Sequence, residues 1–335
     1  MRLRDLTEQL ASRAHFQSFA QILGHAELEK QRTSDLGFRA SFLQTALASE
    51  KLQYLDVGAR GGPLDRIKLL LEFYDITLCE ADPTEAENLR GLGYAVVEKL
   101  FLDGTQNSQT LYITEKASNS SIYKPRIEII PLTHGSTGAV RIVEEIELPV
   151  TTVDAEENRL GLKFDEIKID VQGANLPVLE GMRTSRPFLI ELEAEMVELY
   201  HGQPLFFDVG RYLYDRGYLV ADLVMTRRNG QPAGGRLPNN RRNSRGIPAY
   251  GDFLFIPDWS RAEGRAIIER APLRWSATLI LNGYEDMVRW ISADHGFDGA
   301  DQVLEILESL DQQTVESTAR PMAATSPSGG LTDDV

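Results

Sequence analysis

A mainly parallel α/β sheet is the fold this sequence predicts, and three observations point to it. Short apolar segments alternate with stretches of helical periodicity, a glycine-rich turn follows the first of these segments, and the composition is that of an ordinary globular chain. Alternation of this kind builds βαβ units with right-handed crossovers. Apolar residues make up 42% of the 335 residues and charged residues 25%, so disordered, collagenous and coiled-coil classes are excluded.

In order along the chain, residues 1–50 carry Leu6, Leu10, Phe16, Phe19, Ile22 and Leu23 near helical spacing and predict a helical N-terminal extension. The block 51–258 holds seven predicted strands: YLDVGA, ITLCEAD, YAVVEKLFL, FDEIKIDV, FLIELEAE, YLVADLV and DFLFIP. Between Thr105 and Ile142 the rhythm lapses, which predicts an insertion after the third strand. Residues 259–312 return to helical patterning, and 313–335 have no apolar periodicity and predict a disordered tail.

Charge and cysteine content narrow the function. Fifty acids against 35 Lys and Arg give a net charge of −15, which argues against broad binding to nucleic acid or anionic lipid. The single Cys79 offers neither a disulfide nor a thiolate metal site. The charged N-terminus lacks the apolar stretch of a signal peptide, and no segment is apolar for a membrane span's length. A cytoplasmic protein is expected, with a homo-oligomer left open.

The sharpest local signal is Asp56-Val57-Gly58-Ala59-Arg60-Gly61-Gly62 at the end of the first predicted strand. Glycines at a strand-to-helix turn let a ligand approach main-chain N–H groups. Glu80, ending the second strand, stands where a carboxylate accepts hydrogen bonds from ribose hydroxyls. The G-x-G-x-x-G spacing of a dinucleotide loop is absent. Asp56 would repel a pyrophosphate but suits the cationic end of S-adenosylmethionine.

A second signal is Lys168-Ile169-Asp170-Val171-Gln172-Gly173-Ala174-Asn175. Its Asp170 ends the fourth strand, beside the first in an open sheet, and is expected to face the reactive end of the cofactor. Glu191 and Glu193, two apart on the fifth strand, point to one face, with Glu193 nearer the site. Asp170 and Glu193 could also hold a divalent metal. His201 follows on a loop as an alternative base.

Taken together, DVGARGG, EADP, NSSIYKP, TTVD with KIDVQGANLPVLEGM, FLIELE, LYHGQPLF and YGDFLFIP resemble the FkbM family of S-adenosylmethionine-dependent methyltransferases, over about 54 to 257. The resemblance implies a class I methyltransferase (Rossmann-like) fold with a seven-stranded sheet whose last strands are antiparallel. It also implies O-methylation of a hydroxyl on a sugar, glycan or natural-product acceptor. By position, Asp56, Gly58 and Gly62 would surround the methionine part of the cofactor, Glu80 the ribose and Phe101 the adenine, with Asp170 beside the methyl group.

Ser120 and Ser121 are candidate donors to the acceptor. Arg60 stands where the family usually has Asn, and Asn175 where it usually has Glu. The acid-free segment from Thr226 to Arg245 carries Arg227, Arg228, Arg241 and Arg242 and suggests an anionic acceptor. Two rival readings are a noncatalytic methyltransferase-like scaffold, which Asn175 favours, and an NAD-dependent oxidoreductase, for which Glu80 would serve equally.

Overall fold

The computed structural model describes residues 37–48, 50–130, 137–228 and 247–319. Seven strands form the main sheet in the order β3-β2-β1-β7-β8-β10-β9. They are β1 (Leu52–Val57), β2 (Tyr74–Cys79), β3 (Ala95–Val97), β7 (Glu166–Ile169), β8 (Leu189–Glu195), β9 (Tyr218–Arg228) and β10 (Ile247–Pro257). Strands β1, β2, β3, β7 and β8 pair in parallel, and β10 lies antiparallel between β8 and β9. Each predicted strand segment therefore supplies a strand of this sheet.

One prediction needs correction. The third segment, YAVVEKLFL, is split: β3 joins the main sheet, whereas β4 (Leu100–Phe101) pairs with β6 (Ile142–Thr151). With β5 (Ser108–Thr114), these strands form a second sheet of order β4-β6-β5. The break falls at Glu98-Lys99, where the Lys99 carbonyl accepts a hydrogen bond from Cys79 Sγ instead of continuing the ladder. The expected insertion is thus a small sheet with its own apolar cluster of Leu100, Leu102, Leu111, Leu148 and Ala174.

The crossover helices include α3 (Pro83–Gly91), α4 (Val153–Leu160), α5 (Asn175–Glu180) and α6 (Phe206–Asp215), with a helix α1 at 37–47 and a short α2 (Asp65–Lys68). Sequence dictates their starts. Asp82 accepts from the Thr84 N–H, ahead of Pro83 in the first turn of α3, and Thr152 accepts from the Ala155 N–H at α4.

After β10 come α7 (Ala262–Glu269), α8 (Pro272–Leu281), α9 (Glu285–Trp290) and α10 (Ala300–Ala319). Phe42, Leu43 and Leu47 of α1 and Trp275, Leu279 and Ile280 of α8 belong to the same apolar core as the sheet. Each large side chain so buried contributes about 1.5–3 kcal/mol. The helical flanks are therefore part of one core. Helix α10 runs to Ala319, past the predicted start of a tail at 313, and most of the predicted N-terminal extension lies outside the described residues.

Charged residues occupy one face of the sheet. In register across β1, β7, β8 and β10, Asp56 lies beside Lys168, Lys168 beside Glu191, and Asp252 opposite Glu193. At the amino end of the strands this polarity is satisfied internally. Arg66 of α2 pairs with Glu166 at 2.8 Å and Glu191 at 2.5 Å, while Tyr74 and Asn282 donate to Glu166. Toward the carboxyl end the stripe enters the crevice described next.

Candidate active site

Strand order reverses between β1 and β7, so the crevice at their carboxyl ends is the place where an open α/β sheet binds ligands. The turn after β1 contributes Gly58, Gly61 and Gly62, all with φ between +80° and +86°. Gly58 is fixed by space as well as by angle, because a Cβ there would lie 1.9 Å from the Asp170 carbonyl oxygen. The two predicted motifs therefore touch. We expect Gly58→Ala to lose on the order of 3 kcal/mol of stability, from strain and overpacking. Denaturant unfolding measures this, and a variant as stable as wild type would contradict it.

Beneath the turn, Asp56 is buried, and Lys168 Nζ stands 3.0 Å from its Oδ1 and donates to the Gly58 carbonyl at 3.0 Å. Burial pushes Asp56 up to about 6 against the opposing pull of Lys168. Burial also opposes the charge of Lys168, but Asp56 and Asp170 more than offset it and hold the ammonium above the ordinary lysine value. Asp56 thus supports the turn from below, with its charge already met by Lys168; it does not stand open toward a ligand's cationic group.

Glu80 directly follows β2, with its Oε1 accepting the Asp82 N–H at 2.9 Å. Burial raises its pKa. Arg60, the departure from the family's usual Asn, ties the glycine turn to the next loop. Its NH2 group lies 2.5 Å from Asp82, and the Gly61 N–H donates to Glu85. Phe101 is buried in the main core, so the adenine contact expected of it is not offered at the crevice.

The turn after β7 carries the richest network. Gln172 adopts φ +49°, left-handed for a non-glycine residue, and several bonds hold it there. Its Nε2 donates to Asp170 at 3.3 Å and Glu193 at 3.2 Å, the Tyr200 hydroxyl contacts its Oε1 at 2.9 Å, and the Ser121 hydroxyl donates to its carbonyl at 2.7 Å. Tyr200 is fully buried and also reaches the Asn119 carbonyl. Asn175 donates to the Glu193 carbonyl, so the residue that replaces the family's Glu anchors α5 to β8.

The carboxylates differ in environment. Burial pushes Glu193 up to about 9, aided by the charges of Asp170, Glu195 and Asp252, and it pushes Glu195 up to about 8. Both hold their protons at neutral pH. Asp170, with 38% of its side chain exposed and Lys168 at 3.7 Å, is the open carboxylate next to the glycine turn.

The remaining predicted residues fall elsewhere. His201 is exposed on the loop after β8, influencing Glu128 and Glu198, and the described contacts do not join it to Asp170. Ser120 accepts the Thr114 N–H within its own turn, and Ser121 holds the Gln172 turn, so both position backbone. Arg227 and Arg228 end β9, at the crevice end of the sheet, while Arg241 and Arg242 lie outside the described residues. Among the described residues no three His, Cys, Asp or Glu side chains come together as a metal site.

Sequence reasoning passed over Lys168, Gln172, Glu195 and Tyr200. Lys168 carried a signal, since period-two spacing puts it on one face with Glu166 and Asp170 of a central strand. Gln172 and Tyr200 carried none, because their roles depend on a loop brought in from the second sheet.

The sheet order, the single antiparallel strand and the glycine turn at the switch point define a Rossmann-like methyltransferase fold of class I. Residues 56–220, a stretch that holds both the glycine turn and Asp170, match the methyltransferase FkbM domain. No curated protein sequence matches it significantly. Among solved structures, it is similar to an E. coli prophage protein provisionally assigned as a DNA modification methyltransferase, at 10% identity and a TM-score of 0.32. That alignment covers 62% of this chain and 47% of the other, so the chain spans about half the length of that relative.

Magnesium protoporphyrin IX methyltransferase from Synechocystis PCC 6803 aligns at 9% identity over 77% of this chain and 98% of its own, with a TM-score of 0.32. A protein of Thermoplasma acidophilum provisionally assigned as a methyltransferase aligns at 11% identity over 62% and 68%, with a TM-score of 0.31. The FkbM family implies S-adenosylmethionine as cofactor. The residues present fit it through Glu80, which has a carboxylate oxygen beyond the one bonded to Asp82, and through three glycines of positive φ that keep the turn clear of side chains. The N–H groups of Gly58, Gly61 and Gly62 are themselves bonded to Cys79, Glu85 and Ala59, so the expected main-chain donors are not free there.

Proposed function

We propose that this chain transfers the methyl group of S-adenosylmethionine to a hydroxyl of a sugar, glycan or natural-product acceptor. The observation that carries this reading is the contact between the Gly58 turn and the Asp170 backbone, which puts the cofactor loop and an open carboxylate side by side. Gly58, Gly61, Gly62 and Glu80 would hold the cofactor, which when bound supplies an electrophilic methyl group on a sulfonium centre.

The chain's own residues then have separate tasks. Asp170 accepts the proton of the acceptor hydroxyl. Glu193, protonated at neutral pH, donates a hydrogen bond and holds the acceptor oxygen, while Gln172 keeps both carboxyl groups in one orientation. Lys168 ties Asp56 and the Gly58 carbonyl together and keeps the turn in place. Arginines at the β9 end of the sheet favour an acceptor that carries phosphate or carboxylate.

Incubation with methyl-labelled cofactor and a panel of glycans and cell extracts tests the reading, the expected product being a labelled methyl ether. Label on nitrogen or carbon would overturn the O-methylation assignment. Cofactor binding without transfer to any acceptor would favour a scaffold, the reading for which Asn175 in place of Glu speaks.

A further inference from the structure

We propose a second anion site, for a small phosphate-bearing ligand, at the amino end of β8 and β9. It is formed by Arg183 and Arg186 in the turn before β8, Arg216 before β9, and Arg270 between α7 and α8. The crevice lies at the other end of β8, seven residues and about 20 Å away at ~3.3 Å per residue.

Arg186 NH1 and Arg216 NH2 both donate to the Met182 carbonyl, at 3.0 and 2.9 Å, so a shared acceptor sets two guanidiniums side by side. Arg216 also donates to the Arg183 carbonyl at 3.1 Å, and Arg270 to the Arg186 carbonyl at 2.8 Å. Aromatic rings hold two of these groups in place. Arg216 lies 4.8 Å over Tyr212 and Arg270 4.9 Å over Phe188.

In a chain of net charge −15, carboxylates are abundant, and ten other arginines take them as ion-pair partners. Among the described residues none of these four does; they bond to carbonyl oxygens. The nearby Asp154 is taken up by the backbone N–H groups of Thr184 and Ser185.

Partial burial and the charge of Arg216 lower the pKa of Arg186, as expected of like charges held together. Each guanidinium carries five N–H donors. In this cluster each bonds through a single nitrogen, leaving forks free for bidentate phosphate contacts. Of the four, Arg270 also lines an open cavity of about 630 Å³, together with Phe188, the cations Lys51, Lys163 and Arg274 and the carboxylates Glu50, Asp75 and Asp165. Convergence on one carbonyl suits a compact group of charge near −2, not an extended polyanion.

Calorimetric titration of the full chain with inorganic phosphate and with pyrophosphate, at fixed chloride, tests the site. Wild type is expected to bind saturably, and Arg186→Ala with Arg216→Ala to weaken binding at least tenfold. The exposed pair Arg183→Ala with Arg270→Ala guards against misfolding, since its side chains lie outside the core; it should also weaken binding by several-fold while the circular dichroism stays unchanged. No saturable binding by wild type would overturn the proposal. So would binding indifferent to both double variants, or binding lost only in Arg241→Ala with Arg242→Ala.

Discussion

Asp170→Asn is expected to lower kcat by about 10²–10⁴-fold, the range that a positioned general base supplies, while affinity for S-adenosylmethionine changes little. The amide is nearly the same size and can still accept from Gln172, so the turn that holds Gly58 keeps its shape. What it loses is the capacity to take a proton. Glu193→Gln should cost far less activity, because Glu193 already holds a proton at neutral pH and an amide N–H replaces its donor. Measuring kcat and cofactor affinity of both variants decides the division of labour. The reverse ordering would make Glu193 the base and leave Asp170 a positioning group.

That division was only half legible in the sequence. Asp170 was visible as an acid at the end of a predicted central strand, and Glu193 by its two-residue spacing from Glu191, which puts both on one face of β8. Their difference was not, because it comes from the folded surroundings: Glu193 is buried with Asp170 and Asp252 brought in from neighbouring chain segments beside Glu195 of its own strand, whereas Asp170 stays partly exposed beside Lys168. The main sheet was legible for the converse reason. Its strands carry short aliphatic and aromatic segments, such as LQYLDV of β1 and the DFLFIP of β10, bounded by helical stretches, and such local patterns need no partner to be recognised.

The second sheet escaped because its pairings are non-local. Leu100 and Phe101 join β6 some fifty residues later, and neither β4 nor the alternating, largely exposed β6 has such a run. Its omission also hid Asn119 and Ser121, and with them the reason that Gln172 tolerates a left-handed conformation. Phe101 was expected just past the third strand, but it lies within β4 of the second sheet with its side chain buried in the main core, a placement that depends on the non-local pairing with β6.

The same carboxyl groups make stability depend on pH, with a definite sign. In the unfolded chain they titrate near the ordinary 3.8 to 4.5; in the fold Asp56 moves up to about 6, Glu195 to about 8 and Glu193 to about 9. Between pH 4.5 and 9 the native state therefore binds more protons than the unfolded state, and stability falls as pH rises. Their contribution is fully present below the unfolded values and is lost as pH passes through the folded ones. Each fully displaced carboxyl gives a slope of at most about 1.4 kcal/mol per pH unit. The charges of Asp170, Glu193 and Glu195 act on one another, so the sites together deliver less than the sum of separate effects.

Glu195→Gln isolates one member of the set. At pH 5 it replaces a neutral acid by a neutral amide of similar shape, and the unfolding free energy should match wild type within about 0.5 kcal/mol. At pH 8.5 wild type must either ionise a buried group or hold a proton against the solvent, whereas the variant does neither. The variant should then be the more stable by on the order of 2 kcal/mol, as expected when an uncompensated buried charge is removed. Urea unfolding at the two pH values measures the difference. Equal destabilisation at both would mean that Glu195 is held as an ionised hydrogen-bond acceptor, and the proton assigned to Glu193 beside it would then have to be reassigned as well.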